Sequence, residues 1–236
     1  MPDWVSRIKL VFFDIGSTLV NDDEVTLKYY ATLFNLLSHW GHPVTAEIFW
    51  EVRQAAIRHQ LPSVSAAVVQ FLCGENKELV FKELYRTLRA NGHPWEELMT
   101  LQPGAREVLE SLGNRFSLGV IANQRREISR RLEELEVTRF FKVWAISEVV
   151  RIAKPDPGIF RHALEKAGCK PCDALYVGDR LDNDIQPAKA LGMRTVRIRA
   201  GKDQAHLEPE TPEQTPDIQI NALTELPQAL GLPGAR

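Results

Sequence analysis

Four residues carry the chemistry this sequence is equipped for: Asp14, Lys154, Asp179 and Asp184. Three carboxylates brought close together repel and raise one another's pKa values unless a cation sits among them. Oxygen-only ligands suit a hard ion such as magnesium better than zinc, so Mg2+ is the expected cofactor. A lysine beside them would neutralise a second anion and hold a phosphoryl oxygen as a point charge. Gly16, Ser17 and Thr18 follow Asp14 and could present main-chain N–H groups to the same anion. A carboxylate in such a place is able to attack phosphorus or carbon and form a covalent acyl-type intermediate. Taken singly, each signal has a plainer explanation. An aspartate ending a strand is more often a turn former or helix cap, and Asp182 and Asn183 read as turn residues. The specific feature is the ordered set.

The elements that must position these residues are legible as apolar runs. Leu10–Phe13, Leu118–Ala122, Val143–Ile146, Ala174–Val177 and Thr195–Ile198 are short and β-rich, several of them near-continuous, as strands covered on both faces should be. Between the later runs lie helical patterns at 104–112, 127–135, 159–167 and 185–191. Strand and helix in alternation predict an α/β fold, a parallel sheet with helices on both faces. In such sheets ligands bind at the carboxyl ends of the strands, where strand order reverses. Asp14 follows the first run, Asn123 the second and Asp179 the fourth, and Lys154 comes a few residues after the third.

About a hundred residues separate the first run from the next, and that stretch reads as helix only. Tyr29, Leu33, Leu36 and Trp40 follow helical spacing up to a stop at 41–43; Phe49, Val52 and Ala56 follow it up to Pro62. Leu79, Leu84 and Leu88 form a later stripe that ends at 91–94. A small helical domain over 21–100, inserted in a core made of 1–20 and 101–236, is the expected organisation. The stretch after Lys202 reads as a loop before a last strand at 217–220.

The 236 residues are 44% hydrophobic and 25% charged, an ordinary globular balance, and the formal net charge of -2 provides no global field toward nucleic acid or an anionic membrane. No window reaches the length of a membrane span and no signal peptide is apparent, so a soluble cytoplasmic protein, monomer or homodimer, is expected. Cys169 and Cys172 form a C-x-x-C with no second pair to complete a zinc site and read as part of a turn.

The ordered set resembles the haloacid dehalogenase-like superfamily of hydrolases over nearly the whole chain. Residues 11–19 look like the family's first motif, whose aspartate, here Asp14, is nucleophile and metal ligand. Residues 118–123 look like the second, which binds the transferred phosphoryl group; 147–160 look like the third, with Lys154 its key residue; and 176–185 look like the fourth, whose outer aspartates Asp179 and Asp184 serve magnesium. Residues 102–106 are similar to the segment that re-enters the core from an inserted helical cap. The resemblance implies a Rossmann-like core with a cap. It implies Asp14 and Lys154 as catalytic residues, Ser17, Thr18, Asn123 and Lys154 as phosphate-binding, and Asp14, Gly16, Asp179 and Asp184 as the magnesium site.

Three positions depart from the pattern. Most of the family's phosphatases carry a second aspartate two residues after the nucleophile, where this chain, like some branches of the family, has glycine, Gly16. General acid–base help of that kind contributes about 10²–10⁴ in rate. Ala122 stands where the second motif has Ser or Thr, and Arg151 where glycine is frequent. Three readings stay open: a phosphatase acting on a small phosphorylated molecule, with the proton supplied by substrate, water or cap; a dehalogenase- or phosphonatase-type hydrolase using Asp14; or a weakened family member that binds a phosphorylated ligand or protein partner. The full acidic fourth motif beside an attacking carboxylate favours the first.

Secondary candidates have plain alternatives. Arg125 and Arg126 could attract an anion, but with Arg130 and Arg131 they read better as a solvated face. Of the cap cations, His39, His42, Arg53, Arg58, His59 and His93, each reads first as a surface or interhelix residue, with Arg58 and His59 the choice for substrate contact. Tyr29, Phe34, Trp40, Phe49 and Trp50 read as the cap's own core.

Overall fold

The computed structural model describes residues 2–40, 44–61, 63–74, 77–90, 96–201 and 207–233. The chain divides into two compact units, residues 1–21 with 100–236, and residues 22–99. It opens with β1 (Leu10–Phe13) and β2 (Val20–Asn21), then passes through α1 (Asp23–His39), α2 (Ala46–Arg58), α3 (Val64–Cys73) and α4 (Lys77–Ala90) of the second unit. The first unit resumes with β3 (Thr100–Leu101), α5 (Ala105–Gly113), β4 (Ser117–Ala122), α6 (Ile128–Glu134), β5 (Phe141–Ile146), α7 (Ser147–Val150) and α8 (Pro157–Ala167). It continues with β6 (Ala174–Gly178), a π-helical turn (Leu181–Ile185), α9 (Gln186–Ala190), β7 (Arg194–Ile198), β8 (Ile218–Ile220) and α10 (Leu226–Ala229).

Among the described residues six strands form one parallel sheet in the order β5-β4-β1-β6-β7-β8. β1 and β6 are buried along their whole length and β4 along all but its first residue, which accounts for their unbroken apolar runs. The chain builds outward from β1 to β4 and β5, then crosses to β6 and builds the other way. The order therefore reverses at β1, and a crevice opens there at the carboxyl ends of the strands. Phe12, Ile121, Ile159, Phe160 and Tyr176 belong to one buried cluster against the sheet. Gly119 lets β4 pass close to β1: a Cβ there would stand 2.7 Å from the Phe12 ring and 3.2 Å from the Val143 carbonyl.

The expectation of nothing but helix between the first two long strands fails at the ends of that stretch. Val20–Asn21 and Thr100–Leu101 pair antiparallel, and Gln102 bonds back through its main-chain N–H to the Leu19 carbonyl at 2.9 Å. A two-residue strand is too short to leave a periodicity.

In the second unit, Thr45 and Ser63 cap α2 and α3 by accepting from the N–H groups of Ile48 and Ala66 at 3.3 and 3.2 Å. Leu33, Leu37, Phe49, Val68, Val80 and Leu84 form its core. Two expectations need correction here. Leu84 is buried as predicted, but Leu79 is 62% exposed and α4 buries Val80 in its place; the side chain of Leu88 lies outside the described residues. Of the aromatic residues, Phe49 is buried and Tyr29 and Phe34 pack against the cluster it belongs to, but Trp40 and Trp50 are exposed. Arg53 is buried, its guanidinium 4.3 Å from the Tyr30 ring centroid and 5.0 Å from that of Trp50. His39, Arg58 and His59 are exposed; His42, His93 and the stops at 41–43, 62 and 91–94 lie outside the described residues. No described helix is long and apolar enough to cross a membrane.

Gly119→Ala is predicted to destabilise the first unit by about 1–3 kcal/mol, because the new methyl overpacks Phe12 against a backbone carbonyl. Chemical denaturation measures it, and an unchanged midpoint would show that the Phe12 ring has room to move.

Candidate functional site

The carboxyl ends of β1, β4 and β6 carry the predicted residues to one place. The main-chain N–H of Asp14 still bonds the Val177 carbonyl at 2.9 Å, so this aspartate leaves β1 while tied to β6. Lys154, between α7 and α8, extends its ammonium into the same region. It donates to Asp14 Oδ1 at 2.8 Å, to Asp184 Oδ1 at 2.6 Å and to the Tyr176 hydroxyl at 2.9 Å. All three of its protons have partners. The Tyr176 hydroxyl donates toward the Ile121 carbonyl (2.9 Å) and Asp184 Oδ1 (3.1 Å). Asp184 Oδ2 accepts from the Arg180 main-chain N–H at 3.0 Å, so this carboxylate is held through both oxygens. Asp14, Asp179 and Asp184 each offer one oxygen, all within 4.8 Å of one another.

Asn123 has a more particular place than the spacing suggested. Its Oδ1 accepts from the Lys154 main-chain N–H at 2.7 Å and its Nδ2 donates to the Lys154 carbonyl at 2.8 Å. The side chain clamps the peptide that carries the lysine, thirty-one residues away in sequence. Ser17 has φ 52°, in the left-handed region, on the turn that leaves Asp14. Thr18 is buried, and its hydroxyl has no hydrogen-bond partner among the described residues. Gly16 has no side chain, so a carbonyl oxygen is all it could offer a cation. Arg151 has φ 61°, the conformation in which glycine is at ease, which gives a physical reason for glycine being frequent there.

Sequence reasoning missed Tyr176, Gly178 and Gly201. Tyr176 lies inside an apolar strand and reads as core; a lone hydroxyl in a strand buried on both faces is the signal that could have found it. A Cβ on Gly178 would come within 2.6 Å of the Asp184 carboxylate, and one on Gly201 within 2.7 Å of Ser17 Oγ. Two candidates fall away from the cluster. Arg126 pairs with Glu148 at 3.3 Å, and Arg130 and Arg131 both reach Glu134, as a solvated face does. Cys169 and Cys172 are free thiols, and among the described residues no His, Cys, Asp or Glu group besides the acidic triad is placed to hold a metal.

Electrostatics follow from that packing. Burial raises the pKa of Asp14 to about 6; Lys154 pulls it down and Asp184 pushes it further up. Burial, then Asp184 and Asp14, raise Asp179 well above the ordinary carboxylate range. Burial opposes the charge of Lys154, but Asp14 and Asp184 outweigh it and hold its pKa above the usual lysine value. Three carboxylates thus face one ammonium and leave an excess of negative charge in a mostly buried pocket. That oxygen-rich, anionic donor set fits a hard divalent cation.

A family model described as haloacid dehalogenase-like hydrolase matches residues 11–198. Among curated proteins, a glyceraldehyde 3-phosphate phosphatase of Pyrococcus furiosus is 30% identical over 240 residues, covering 95% of this chain and 92% of that one. A protein of the same name from Methanopyrus kandleri is 46% identical over 96 residues, and the match spans 41% of each chain. Among solved structures, a 2-haloacid dehalogenase from Pseudomonas syringae pv. Tomato is 26% identical with a TM-score of 0.62, covering 95% of this chain and 98% of that one.

The raised carboxylates have a sign that a melt can read. Asp14 binds its proton more tightly folded than unfolded, so metal-free stability falls as pH rises from 3.8 to about 6. A divalent cation needs the ionised carboxylates, so magnesium used as a probe is predicted to raise the melting temperature more at pH 7.5 than at pH 5. Asp14→Asn is predicted to flatten both trends; equal cation responses at the two pH values would contradict the assignment. Gly178→Ala is predicted to displace the Asp184 carboxylate and suppress the cation response, and a wild-type response would show that Asp184 can yield at no cost.

Proposed function

Because the chain belongs to the haloacid dehalogenase-like hydrolase family, we propose that it is a magnesium-dependent phosphatase acting on a small phosphate monoester through an aspartyl-phosphate on Asp14. The observation that carries this reading is the Lys154 ammonium bridging Asp14 and Asp184 beside Asp179. The named activity of the two curated relatives supports it.

Asp14, Asp179 and Asp184, with the carbonyl of Gly16, would hold the cation, which when bound supplies charge balance for the phosphoryl oxygens and orients them. A carboxylate oxygen of Asp14 attacks phosphorus in line; the ester P–O bond breaks, and the alcohol leaves after taking up a proton. Lys154 keeps Asp14 Oδ1 fixed during that attack and offsets the charge that spreads over the phosphoryl oxygens. Asn123 acts through Lys154, by fixing the lysine's own peptide. We assign a phosphoryl oxygen to the turn at Ser17 and Thr18, where the Thr18 main-chain N–H already bonds the Ile15 carbonyl at 3.3 Å and the Thr18 hydroxyl has no partner among the described residues. Water then attacks phosphorus, phosphate is released and the carboxylate is regenerated. Gly16 contributes no proton to either half, so substrate, solvent or the helical unit supplies it. We assign that unit, residues 22–99, the role of a cap that selects the substrate.

A second reading has one observation in its favour, the likeness to a 2-haloacid dehalogenase. There the same Asp14 oxygen would displace halide from carbon. The acidic triad weighs toward the phosphatase, because attack on carbon has no need for a cation-binding set.

A panel of phosphate monoesters and 2-haloacids, each with magnesium and with a chelator, separates the readings. The expected result is magnesium-dependent phosphate release that falls about a thousandfold or more in Asp14→Asn. Halide release without magnesium would install the second reading, and undiminished phosphate release by Asp14→Asn would remove Asp14 from the chemistry.

A further inference from the structure

The opposite end of the sheet carries a second cluster of charge that no part of the reaction uses. A cavity of about 500 Å³ opens at the amino ends of the strands, lined by Lys9, Ser117, Lys142, Lys166, Lys170 and Asp173. Lys9 precedes β1, Ser117 begins β4, Lys142 is the second residue of β5 and Asp173 precedes β6. The carboxyl ends of β1, β4 and β6 carry Asp14, Asn123 and Asp179, so about 16 Å of strand separates the two places at ~3.3 Å per residue.

The charge at this cavity is one-sided. Lys9 pairs with Asp173 at 2.7 Å, but among the described residues the ammonium groups of Lys142, Lys166 and Lys170 form no ion pair. Some cations elsewhere on this unit are matched, as Arg106 holds Glu136, Arg139 holds Glu110 and Arg194 holds Asp217. The chain as a whole is net negative, so three unmatched lysines around one cavity are not a by-product of composition. The negative end of α8 accounts for a cation such as Lys166 in its last turn. It does not account for Lys142 on β5, nor for the cavity that the lysines share. Cavity and charge together call for an anion.

We propose that this cavity binds a small polyanion of linked phosphate groups, either free pyrophosphate or tripolyphosphate or the diphosphate tail of a nucleotide. Three separated ammonium point charges match negative charge spread along a chain of phosphates, since each lysine can take a different oxygen. A single phosphate reaches one or two of them and gains what an exposed ion pair gains, which is little. Leu10 and Val143 form an apolar side of the cavity, against which a base or sugar could rest. The site is independent of the proposed phosphatase chemistry.

Calorimetric titration of the full chain with pyrophosphate, tripolyphosphate, a nucleoside diphosphate and orthophosphate, in chelator and low salt, tests it. Without a cation the acidic cluster at the other end repels these anions, so the readout needs no turnover and no metal. The prediction is saturable binding of the linked phosphates, orthophosphate far weaker, and a loss of about tenfold or more in Lys142→Ala/Lys166→Ala/Lys170→Ala. The single variant Lys142→Ala, on an exposed β5 position, gives a partial loss and guards against a folding defect in the triple variant. Phosphatase turnover by either variant stays at the wild-type level. Tighter binding of the nucleoside diphosphate than of pyrophosphate identifies the nucleotide as the source, and the reverse identifies the free polyphosphate. No binding by the wild type, or equal affinity in the wild type and the triple variant, overturns the proposal.

Discussion

The structure turns on one buried ammonium among three carboxylates. Isolated charges of this kind are costly to bury, and a pair survives burial only when its geometry is good and its remaining donors and acceptors are satisfied. Lys154 meets that condition, with each proton on an oxygen of Asp14, Asp184 or Tyr176. Asp184 meets it too, with Lys154 and Tyr176 on one oxygen and the Arg180 N–H on the other. Asp14 and Asp179 are the members whose charge is incompletely balanced, and these are the two whose pKa values burial and repulsion raise. That imbalance is the feature that favours a cation-binding role over a purely structural ion pair.

The cluster is held by the sheet, by close glycine packing and by one side-chain clamp. The parallel sheet supplies fixed exits at β1, β4 and β6, and its order reverses beside β1, so side chains leaving those exits converge. Glycine lets the pieces approach: Gly178 makes room for the Asp184 carboxylate and Gly201 for the Ser17 hydroxyl. Asn123 replaces a longer-range constraint with two hydrogen bonds to the peptide of Lys154. A lysine side chain has several rotatable bonds, and fixing its base in this way lowers the entropy lost in placing its tip.

Much of this was written in the sequence, and the reasons for what was not are physical. The strands of the sheet show as apolar runs because both their faces are covered, and Asp14, Lys154 and Asp179 show because each follows such a run. Asp184 shows through its spacing from Asp179. Tyr176 does not show, because in a strand buried on both sides an aromatic residue is the ordinary choice and the hydroxyl's partners are far away in sequence. The family resemblance put Asn123 on phosphate; its two bonds to the Lys154 peptide, thirty-one residues on, leave no trace in sequence order. In the helical unit, Leu79 and Val80 are both apolar, and only packing decides that Val80 turns inward. Trp40 and Trp50 show the same limit, because an amphipathic pattern does not tell which aromatic residues stay exposed. The lysine cavity at the far edge is the extreme case: its members come from four separate segments, each unremarkable alone.

In the proposed reaction Asp14, held by Lys154, takes the phosphoryl group onto its own carboxylate. Rapid acid quench of the protein turning over para-nitrophenyl phosphate with magnesium, followed by mass spectrometry of its peptides, tests this most directly. The expected result is a phosphoryl group on Asp14, removed by hydroxylamine as an acyl phosphate is, and absent when magnesium is chelated. Turnover with no phosphorylated peptide at any quench time, or a phosphoryl group on another residue, would contradict it.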